Sequence, residues 1–293
     1  MKSNFKEVLE LNIATIILGS SGVLGKLLTI SPPVIILIRS IIAYFFIWSI
    51  LRLTNKSTSP KIMKAPRFFI ISGIFMAAHW VLYFIALEVT TVAVAFISVF
   101  TFPIFTTLLE PLFFKSKLQL IDLLASLLVI VGIVILVPDV SLNNNVTLGA
   151  FLGILSALFY ALRNLMNKRY IHIYSGTFIM MQQMLIVGII LLPAIFIFPF
   201  NPGEGDILWL VLLGIGTTGI GHTLFVRSLK HFKTSTASII TSLQPIYGII
   251  LAVIFLGEKL NPQIIIGGSI IFFTVLLKSL QEYLKENSIT TKI

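Results

Sequence analysis

The stretch PIFTTLLEPLFFKSKL at residues 103–118 is followed 142 positions later by PIYGIILAVIFLGEKL at residues 245–260. Both stretches begin with proline and end with Lys-Leu. The same offset places Lys26 on Lys168. Agreement in residue type at one fixed offset indicates that the chain contains an internal duplication.

The composition is that of a membrane protein. Of 293 residues, 57% are hydrophobic and 11% are charged, whereas soluble domains have roughly 25% charged residues. The mean hydropathy is +1.04. The absence of cysteine excludes disulfides, thiolate nucleophiles and cysteine-based zinc sites. A formal charge of +10 would suggest nucleic acid in a soluble chain, but in a membrane protein we expect it to lie in the loops.

Apolar stretches long enough to cross roughly 30 Å of hydrocarbon recur ten times along the chain. Short segments rich in Pro, Gly, Asn, Ser or Lys separate them and favour turns. The predicted spans are residues 9–28, 33–53, 67–87, 90–114, 118–137, 148–169, 175–198, 207–228, 234–256 and 263–284. This pattern predicts an all-α integral membrane protein with ten transmembrane helices.

The basic residues predict the topology, because cytoplasmic loops retain Lys and Arg. If the N-terminus is inside, the inner side receives every basic residue except Lys259 and three that lie within spans, namely Lys26, Arg39 and Arg163. We therefore predict a multi-pass protein of the plasma membrane with both termini in the cytoplasm.

The duplication and the topology together predict an inverted repeat. Each copy holds five spans, and an odd number makes the second copy enter the membrane from the opposite side. The predicted domains are the first repeat, residues 1–142, and the second repeat, residues 143–293. Lys26 should then lie near the outer surface and Lys168 near the inner surface.

Several motifs carry a resemblance to a known family. They are Gly19-Ser20-Ser21-Gly22 followed by Lys26, Ser31-Pro32-Pro33, Arg39 to Ala43, Trp80 to Leu87, Pro103, Ser242-Leu243-Gln244-Pro245 and Leu256-Gly257-Glu258-Lys259-Leu260. In this order they resemble the EamA-type transporters of the drug/metabolite transporter superfamily over nearly the whole chain. The resemblance implies two five-helix repeats and export of small metabolites or amino acids. The first copy has Lys115-Ser116 in place of Gly257-Glu258, so any role of that glutamate belongs to one half.

Polar residues within the spans are candidates for a substrate-binding site. Arg39 lies well inside the second span, where a charge costs roughly 2.5–3.5 kcal/mol and is usually paired or faces water. It could hold a carboxylate of the solute, or it could brace the helices through a hydrogen bond or ion pair. On the sixth span Tyr160, Arg163, Asn164 and Asn167 form a polar stripe, which we interpret as the wall of a wet cavity.

Aromatic and imidazole side chains form a second candidate surface. On the third span His79 and Tyr83 are four residues apart with Trp80 beside them, and His222 lies one residue from the position equivalent to His79. Such a surface could stack on a solute, and a histidine could carry a coupling proton. A buried histidine bonded to a neighbouring helix is the commoner arrangement.

Pro103 and Pro245 lie within the fourth and ninth spans, where each should kink or break its helix. Carbonyls freed at membrane depth are tolerated only against protein or a water-filled cavity. Paired kinks in the two halves therefore predict a shared central site. Gln183, Gln244 and Tyr247 are the hydrogen-bonding residues that we expect around it.

Two further features need an interpretation. Glu110 is the only carboxylate in the interior of a span, and it could take up a coupling proton or pair with Lys115 or another cytoplasmic-side cation. The sequence Gly214 to Gly219 matches the dinucleotide fingerprint, but it lies inside an apolar span with no preceding strand. We interpret its glycines as packing positions.

These observations favour a secondary transporter that exports small metabolites such as amino acids by alternating access. A passive channel and an uptake permease are the alternatives. An intramembrane enzyme would need paired aspartates, a zinc-binding His pair with Glu, or an activated Ser, and the lone Glu110 and scattered histidines do not supply one. The expected partners are the lipid bilayer, a small solute and a coupling proton or counter-solute, for a monomer or homodimer without cofactor or metal.

Overall fold

The computed structural model describes residues 4–54, 65–114, 118–136, 144–228, 230, 241 and 243–290. Over these residues the regular secondary structure is helical throughout. The helices are α1 Asn4–Gly19, α2 Ser21–Lys26, α3 Pro32–Leu53, α4 Pro66–Val89, α5 Val92–Val99, α6 Phe102–Phe113, α7 Leu120–Leu136, α8 Asn145–Tyr170, α9 Gly176–Leu191, α10 Ala194–Ile197, α11 Asp206–Val211, the π segment Leu212–His222, α12 Thr223–Ser228, α13 Gln244–Leu256 and α14 Pro262–Thr290. The predicted domain boundary at 142 and the start of the predicted ninth span lie outside the described residues.

Polar caps and prolines mark where helices begin. The side-chain oxygen of Asn144 accepts a hydrogen bond from the backbone N–H of Val146 at 2.9 Å at the start of α8, which satisfies a donor that has no partner within the helix. Pro32 begins α3, where its missing N–H costs nothing. Helix α13 ends at Leu256 and is capped by Gly257, whose φ of 64° is readily adopted by glycine.

The outward surface of the bundle is apolar. Phe45, Phe151, Ile189 and Phe273 are each more than half exposed, as expected of side chains that contact lipid. Six helical segments of the described residues are long and apolar enough to span a membrane: Pro32–Leu53, Pro66–Val89, Val92–Phe113, Asn145–Tyr170, Gly176–Ile197 and Asp206–Ser228. The prediction of an all-α membrane protein is confirmed over this part of the chain, whereas the count of ten spans stays a prediction.

The fourth predicted span is interrupted. Helix α5 ends at Val99 and α6 begins at Phe102, with Pro103 in the first turn of α6. A proline here cannot donate the backbone hydrogen bond that a continuous helix needs. At the break the Thr101 hydroxyl donates to the carbonyl of Ser98 at 2.7 Å. Pro245 likewise lies in the first turn of α13.

Helices from the two halves pack against one another. Helix α4 packs on α8 and α9, α3 packs on α9 and the π segment, and α7 packs on α14. Helix α1 contacts the π segment and α13, and α5 contacts α8 and α13. When the residue numbers are shifted by 142, several of these helix pairs are converted into other pairs that are also in contact. For example, α4 against α8 corresponds to the π segment against α1.

One matched pair of the duplication, Lys26 and Lys168, lies at opposite ends of α4. Lys26 donates to the carbonyl of Leu87 in the last turn of α4. Lys168 lies in α8 close to Tyr170, whose ring stacks on Phe68 in the first turn of α4 with centroids 4.2 Å apart. The two ends of the bundle are named the Lys26 end and the Lys168 end below.

Candidate functional site

A small cavity lies between the two halves of the chain. Its polar lining residues are Ser21, Arg39, His79, His222 and Gln244. Its aromatic lining residues are Trp80, Tyr83, Phe96, Phe100 and Tyr160. The cavity measures about 30 Å³, which is room for no more than a few water molecules. A metabolite does not fit this space unless the surrounding helices move apart.

Arg39 is the charged residue of the cavity, and it is only 1% exposed. Its Nε donates to the hydroxyl of Thr218 at 2.9 Å, and Nη2 donates to Thr218 at 2.7 Å and to Thr217 at 3.2 Å. Its guanidinium carbon lies 4.4 Å from the ring centroid of Trp80 and 5.2 Å from that of Phe84. Nη1 is buried and has no hydrogen-bond partner among the described residues. Two threonine hydroxyls and two aromatic rings therefore contact the guanidinium, and Nη1 is the nitrogen without a partner among the described residues.

Glycines of the π segment bring the two threonines to Arg39. A Cβ atom on Gly214 would lie 2.6 Å from the side chain of Ile42 in α3, and one on Gly219 would lie 2.6 Å from the ring of Phe46. Only glycine allows the π segment to approach α3 so closely. Gly214 and Gly219 are packing positions, as interpreted from the sequence, whereas a Cβ atom on Gly216 would meet nothing within 4 Å. Gly214 and Gly219 place Thr217 and Thr218 beside the guanidinium.

His79 is fixed by reciprocal hydrogen bonds to α8. The Ser156 hydroxyl donates to the carbonyl of His79 at 2.8 Å, and Nδ1 of His79 lies 2.7 Å from the same hydroxyl oxygen. The one hydroxyl proton is used in the first bond, so Nδ1 is the donor in the second. The imidazole stacks on Tyr160 with centroids 4.4 Å apart. His79 is therefore hydrogen-bonded to a neighbouring helix and also forms part of the cavity wall.

Trp80 and His222 also line the cavity and contact each other. The two rings meet edge to face at 5.2 Å. Nδ1 of His222 is buried without a hydrogen-bond partner among the described residues. Gln244 reaches the cavity from the first turn of α13, beside Pro245. The two helix starts at Pro103 and Pro245 thus bring Phe100 and Gln244 to the same cavity.

A second buried arginine, Arg163, lies in a separate polar cluster between α8 and α9. Its Nε and Nη2 donate to Oε1 of Gln183 at 3.0 and 2.6 Å, and Nη1 donates to Oδ1 of Asn164 at 3.1 Å. The amide of Gln183 then donates to Oδ1 of Asn167 at 2.9 Å. Gln183 and Asn164, which we expected at the solute site, lie here and not among the residues that line the cavity.

Two other candidates also lie away from the residues that line the cavity. Tyr247 packs in α13, where a Cβ atom on Gly19 would lie 2.9 Å from its Cβ. Glu110 lies at the Lys168 end and pairs with Lys168 at 2.5 Å. Of its two expected roles, the structure places Glu110 in the ion pair, with Lys168 as the cation. Lys115 lies outside the described residues.

The Lys26 end is held together by contacts within the first half and between the two halves. Lys26 donates to the carbonyl of Thr90 at 2.5 Å. Glu258 of the second half accepts from the backbone N–H of Val92 at 2.7 Å, where a carboxylate stabilises the start of α5. The Thr29 hydroxyl bonds to the Asp206 carboxylate at 2.6 Å.

A larger cavity of about 620 Å³ opens at the Lys26 end, and its lining includes Lys26, Thr29, Glu88 and Phe84. Phe84 also packs under the guanidinium of Arg39, with the ring centroid 5.2 Å from the guanidinium carbon. Arg39 lines the central cavity. The Phe84 ring therefore lies between the larger cavity and the central one.

Sequence reasoning missed several residues of this arrangement. Thr217, Thr218 and Ser156 hold Arg39 and His79, but single hydroxyls within an apolar span give no sign of their partners. Glu258 belongs to a motif that carries the family resemblance and differs between the copies, but neither observation shows its partner. Its position after Gly257, which caps α13, was the available signal that the side chain turns back toward the bundle.

A model of the EamA-like transporter family matches the chain twice, over residues 6–137 and 147–280. The chain belongs to the EamA-like transporter family. The resemblance seen in the sequence is confirmed, and the family is one of membrane transporters, which are not enzymes.

Named relatives agree with this membership. A Bacillus subtilis protein named "Uncharacterized transporter YxxF" is 26% identical over 291 residues, which cover 98% of this chain and 93% of that protein. A Helicobacter pylori protein named "Uncharacterized transporter" is 29% identical over 192 residues, which cover 63% of each chain. A solved crystal structure resembles the fold with a TM-score of 0.68 and 15% identity, and the match covers 94% of this chain and 97% of that chain.

Proposed function

We propose that this EamA-like transporter is a secondary transporter that exports small metabolites, such as amino acids, by alternating access around the central cavity. The observation that carries the proposal is the cavity itself, where a buried arginine, two histidines and an amide converge between the two halves. One donor of that arginine has no partner among the described residues. Polar groups within membrane spans are costly and mark solute paths.

We also propose that the two five-helix repeats are inverted relative to each other. The two matches to the family model support the duplication. The matched lysines at opposite ends of α4, and the recurrence of helix pairs under the shift between copies, support the inversion. An axis in the membrane plane would exchange the two ends of the bundle in this way.

Alternating access also needs contacts that close each end in turn. We assign the Lys168–Glu110 ion pair to closure at the Lys168 end. We assign Lys26, Glu258 and the Thr29–Asp206 bond to closure at the Lys26 end. The small central volume favours a carrier that opens and closes over a passive channel with a continuous pore.

Orientation and coupling complete the proposed transport cycle. The distribution of Lys and Arg supports cytoplasmic termini in the plasma membrane, with the Lys168 end inside. His222 is the candidate for a coupling proton, because its buried Nδ1 has no hydrogen-bond partner among the described residues and it lines the cavity. Exchange for a counter-solute and uptake instead of export are the alternative outcomes.

Transport is tested first in cells and then in liposomes. Metabolites released by cells with and without the protein are compared, and the compound with the largest difference is loaded into liposomes that contain purified protein. We expect saturable efflux, whereas a channel gives flux that does not saturate.

Paired variants test whether the central cavity is the solute site. The double variant Trp80→Ala with Gln244→Ala should abolish flux and leave folded protein in the membrane. The control, Trp48→Ala with Gln263→Ala, changes the same residue types at exposed positions and should keep the flux. Normal flux from the first variant contradicts the proposed site.

A further inference from the structure

We propose that the central cavity selects small organic anions over zwitterions and cations, with a carboxylate of the solute against Nη1 of Arg39 and its apolar or aromatic body between the surrounding rings. This inference rests on the proposed function and, within small metabolites, favours organic anions over zwitterionic amino acids. It follows from the charges that the cavity holds and from the donor that Arg39 leaves unused.

Among the described residues, the buried charge that lines the cavity, Arg39, and the one in the neighbouring cluster, Arg163, are both positive and have no carboxylate partner. Arg39 and Arg163 are 1% and 0% exposed, and their hydrogen-bond partners are hydroxyls, amides and a thioether. The ion pair found among the described residues joins Lys168 to Glu110, and neither arginine takes part in it. A bound anion would supply the missing opposite charge where the surroundings are least polar.

The geometry of Arg39 leaves a defined place for that anion. Thr217 and Thr218 occupy Nε and Nη2, while Trp80 and Phe84 lie near the guanidinium. The remaining donor, Nη1, is buried and unpartnered among the described residues. A charge-assisted hydrogen bond from this nitrogen is among the strongest contacts that a carboxylate can form.

A positively charged group on the solute finds no carboxylate in the described lining, and the Trp80 ring that could attract it already lies against Arg39. The described residues that line the cavity include no aspartate or glutamate. An ammonium group would therefore enter a site that already holds a buried guanidinium and offers no carboxylate from these residues. The aromatic lining, by contrast, provides stacking surfaces for a ring or an apolar chain.

Three probes with one phenyl ring and different charge test the inference. Phenylpyruvate is an anion near neutral pH, phenylalanine is a zwitterion and phenethylamine is a cation. We expect calorimetric titration of the wild-type protein to show phenylpyruvate binding about ten- to hundred-fold more tightly than phenylalanine, with phenethylamine weakest. Equal or tighter binding of phenylalanine, or no binding of phenylpyruvate, overturns the inference.

Variants then test the role of Arg39. Arg39→Gln should remove the preference for phenylpyruvate, and Arg39→Lys, which keeps the charge without the planar fork, should retain part of it. The control Arg52→Gln changes an exposed arginine in the last turn of the same helix and should bind as the wild type does. A full preference in folded Arg39→Gln contradicts the inference. If Arg39→Gln does not fold, the wild-type titration with the three probes decides alone.

The binding and transport measurements test the charge selection and the proposed function separately. Tight binding of phenylpyruvate without its saturable movement in liposomes would contradict the proposed function and leave the charge selection standing. Saturable transport of phenylalanine in preference to phenylpyruvate would support the function and overturn the charge selection.

Discussion

The two buried arginines, Arg39 and Arg163, differ in how their donors are used. Both are almost completely excluded from solvent, and both lie near aromatic rings. The donors of Arg163 are taken by Gln183, Asn164 and a methionine sulfur. Arg39 keeps Nη1 without a partner among the described residues and lines the cavity.

This difference separates an arginine that holds helices together from one that can bind a ligand. A buried arginine whose nitrogens all have partners braces the helices around it, and removing it leaves polar groups unpaired. A buried arginine with an unused donor beside a cavity is positioned for a ligand. Residue type and burial are the same in the two cases, so only the partners distinguish them.

The largest effect is expected when the two arginines are replaced by the same residue. Arg163→Met leaves the side-chain oxygens of Gln183 and Asn164 without donors, and we expect the free energy of unfolding to fall on the order of 3 kcal/mol. Arg39→Met also removes Nη1, a buried donor with no partner among the described residues, and the Thr217 hydroxyl keeps its bond to the carbonyl of Leu213, so we expect a change within about 1 kcal/mol. Unfolding of both purified variants in detergent measures the difference. An equal loss of stability would remove the distinction.

The two glutamines offer the next comparison. Gln183→Leu breaks the link from Arg163 to Asn167, and we expect it to lower the free energy of unfolding by roughly 2 kcal/mol without changing solute affinity. Gln244→Leu should leave stability unchanged and weaken solute binding about three- to ten-fold. Titration and unfolding of both variants check this, and a loss of affinity in folded Gln183→Leu would move the solute site toward α9.

The threonines of the π segment test how Arg39 is oriented. Thr218 accepts two hydrogen bonds from the guanidinium and Thr217 accepts one longer bond. Thr218→Val keeps the shape of the side chain, and we expect it to weaken phenylpyruvate binding about ten-fold. Thr217→Val is the matched control and should weaken binding less than about three-fold. The reverse order in a titration would contradict the hydrogen-bond geometry of Arg39.

Part of this arrangement was predictable from the sequence. Apolar runs and prolines predicted most helices and the interruption near Pro103, because length and a missing N–H act locally. The spacing of His79, Trp80 and Tyr83 placed them on one side of a helix, and the structure brings all three to the cavity. Polar residues in the spans also indicated a central site.

The pairing of polar groups was not predictable. Gln183 and Arg163 lie on different helices, and the sequence showed an amide within an apolar span without showing the guanidinium beside it. The π segment was also missed, because its glycines and threonines fit an ordinary apolar helix equally well. Both features depend on contacts between helices, which a single sequence without aligned homologues does not reveal.

The smallest effect is expected from replacing two tryptophans, one beside a buried arginine and one beside an exposed arginine. Trp80 lies 4.4 Å from the guanidinium of Arg39, and Trp48 lies 5.3 Å from that of Arg52. A cation over an aromatic face gains about 0.5–2 kcal/mol in all, and tryptophan attracts it more strongly than phenylalanine does. Trp80→Phe should therefore weaken phenylpyruvate binding about two- to five-fold, because the guanidinium is held less firmly. Trp48→Phe should leave binding unchanged, and equal effects of the two changes in titrations would show that the ring beside Arg39 has no special part in holding the solute.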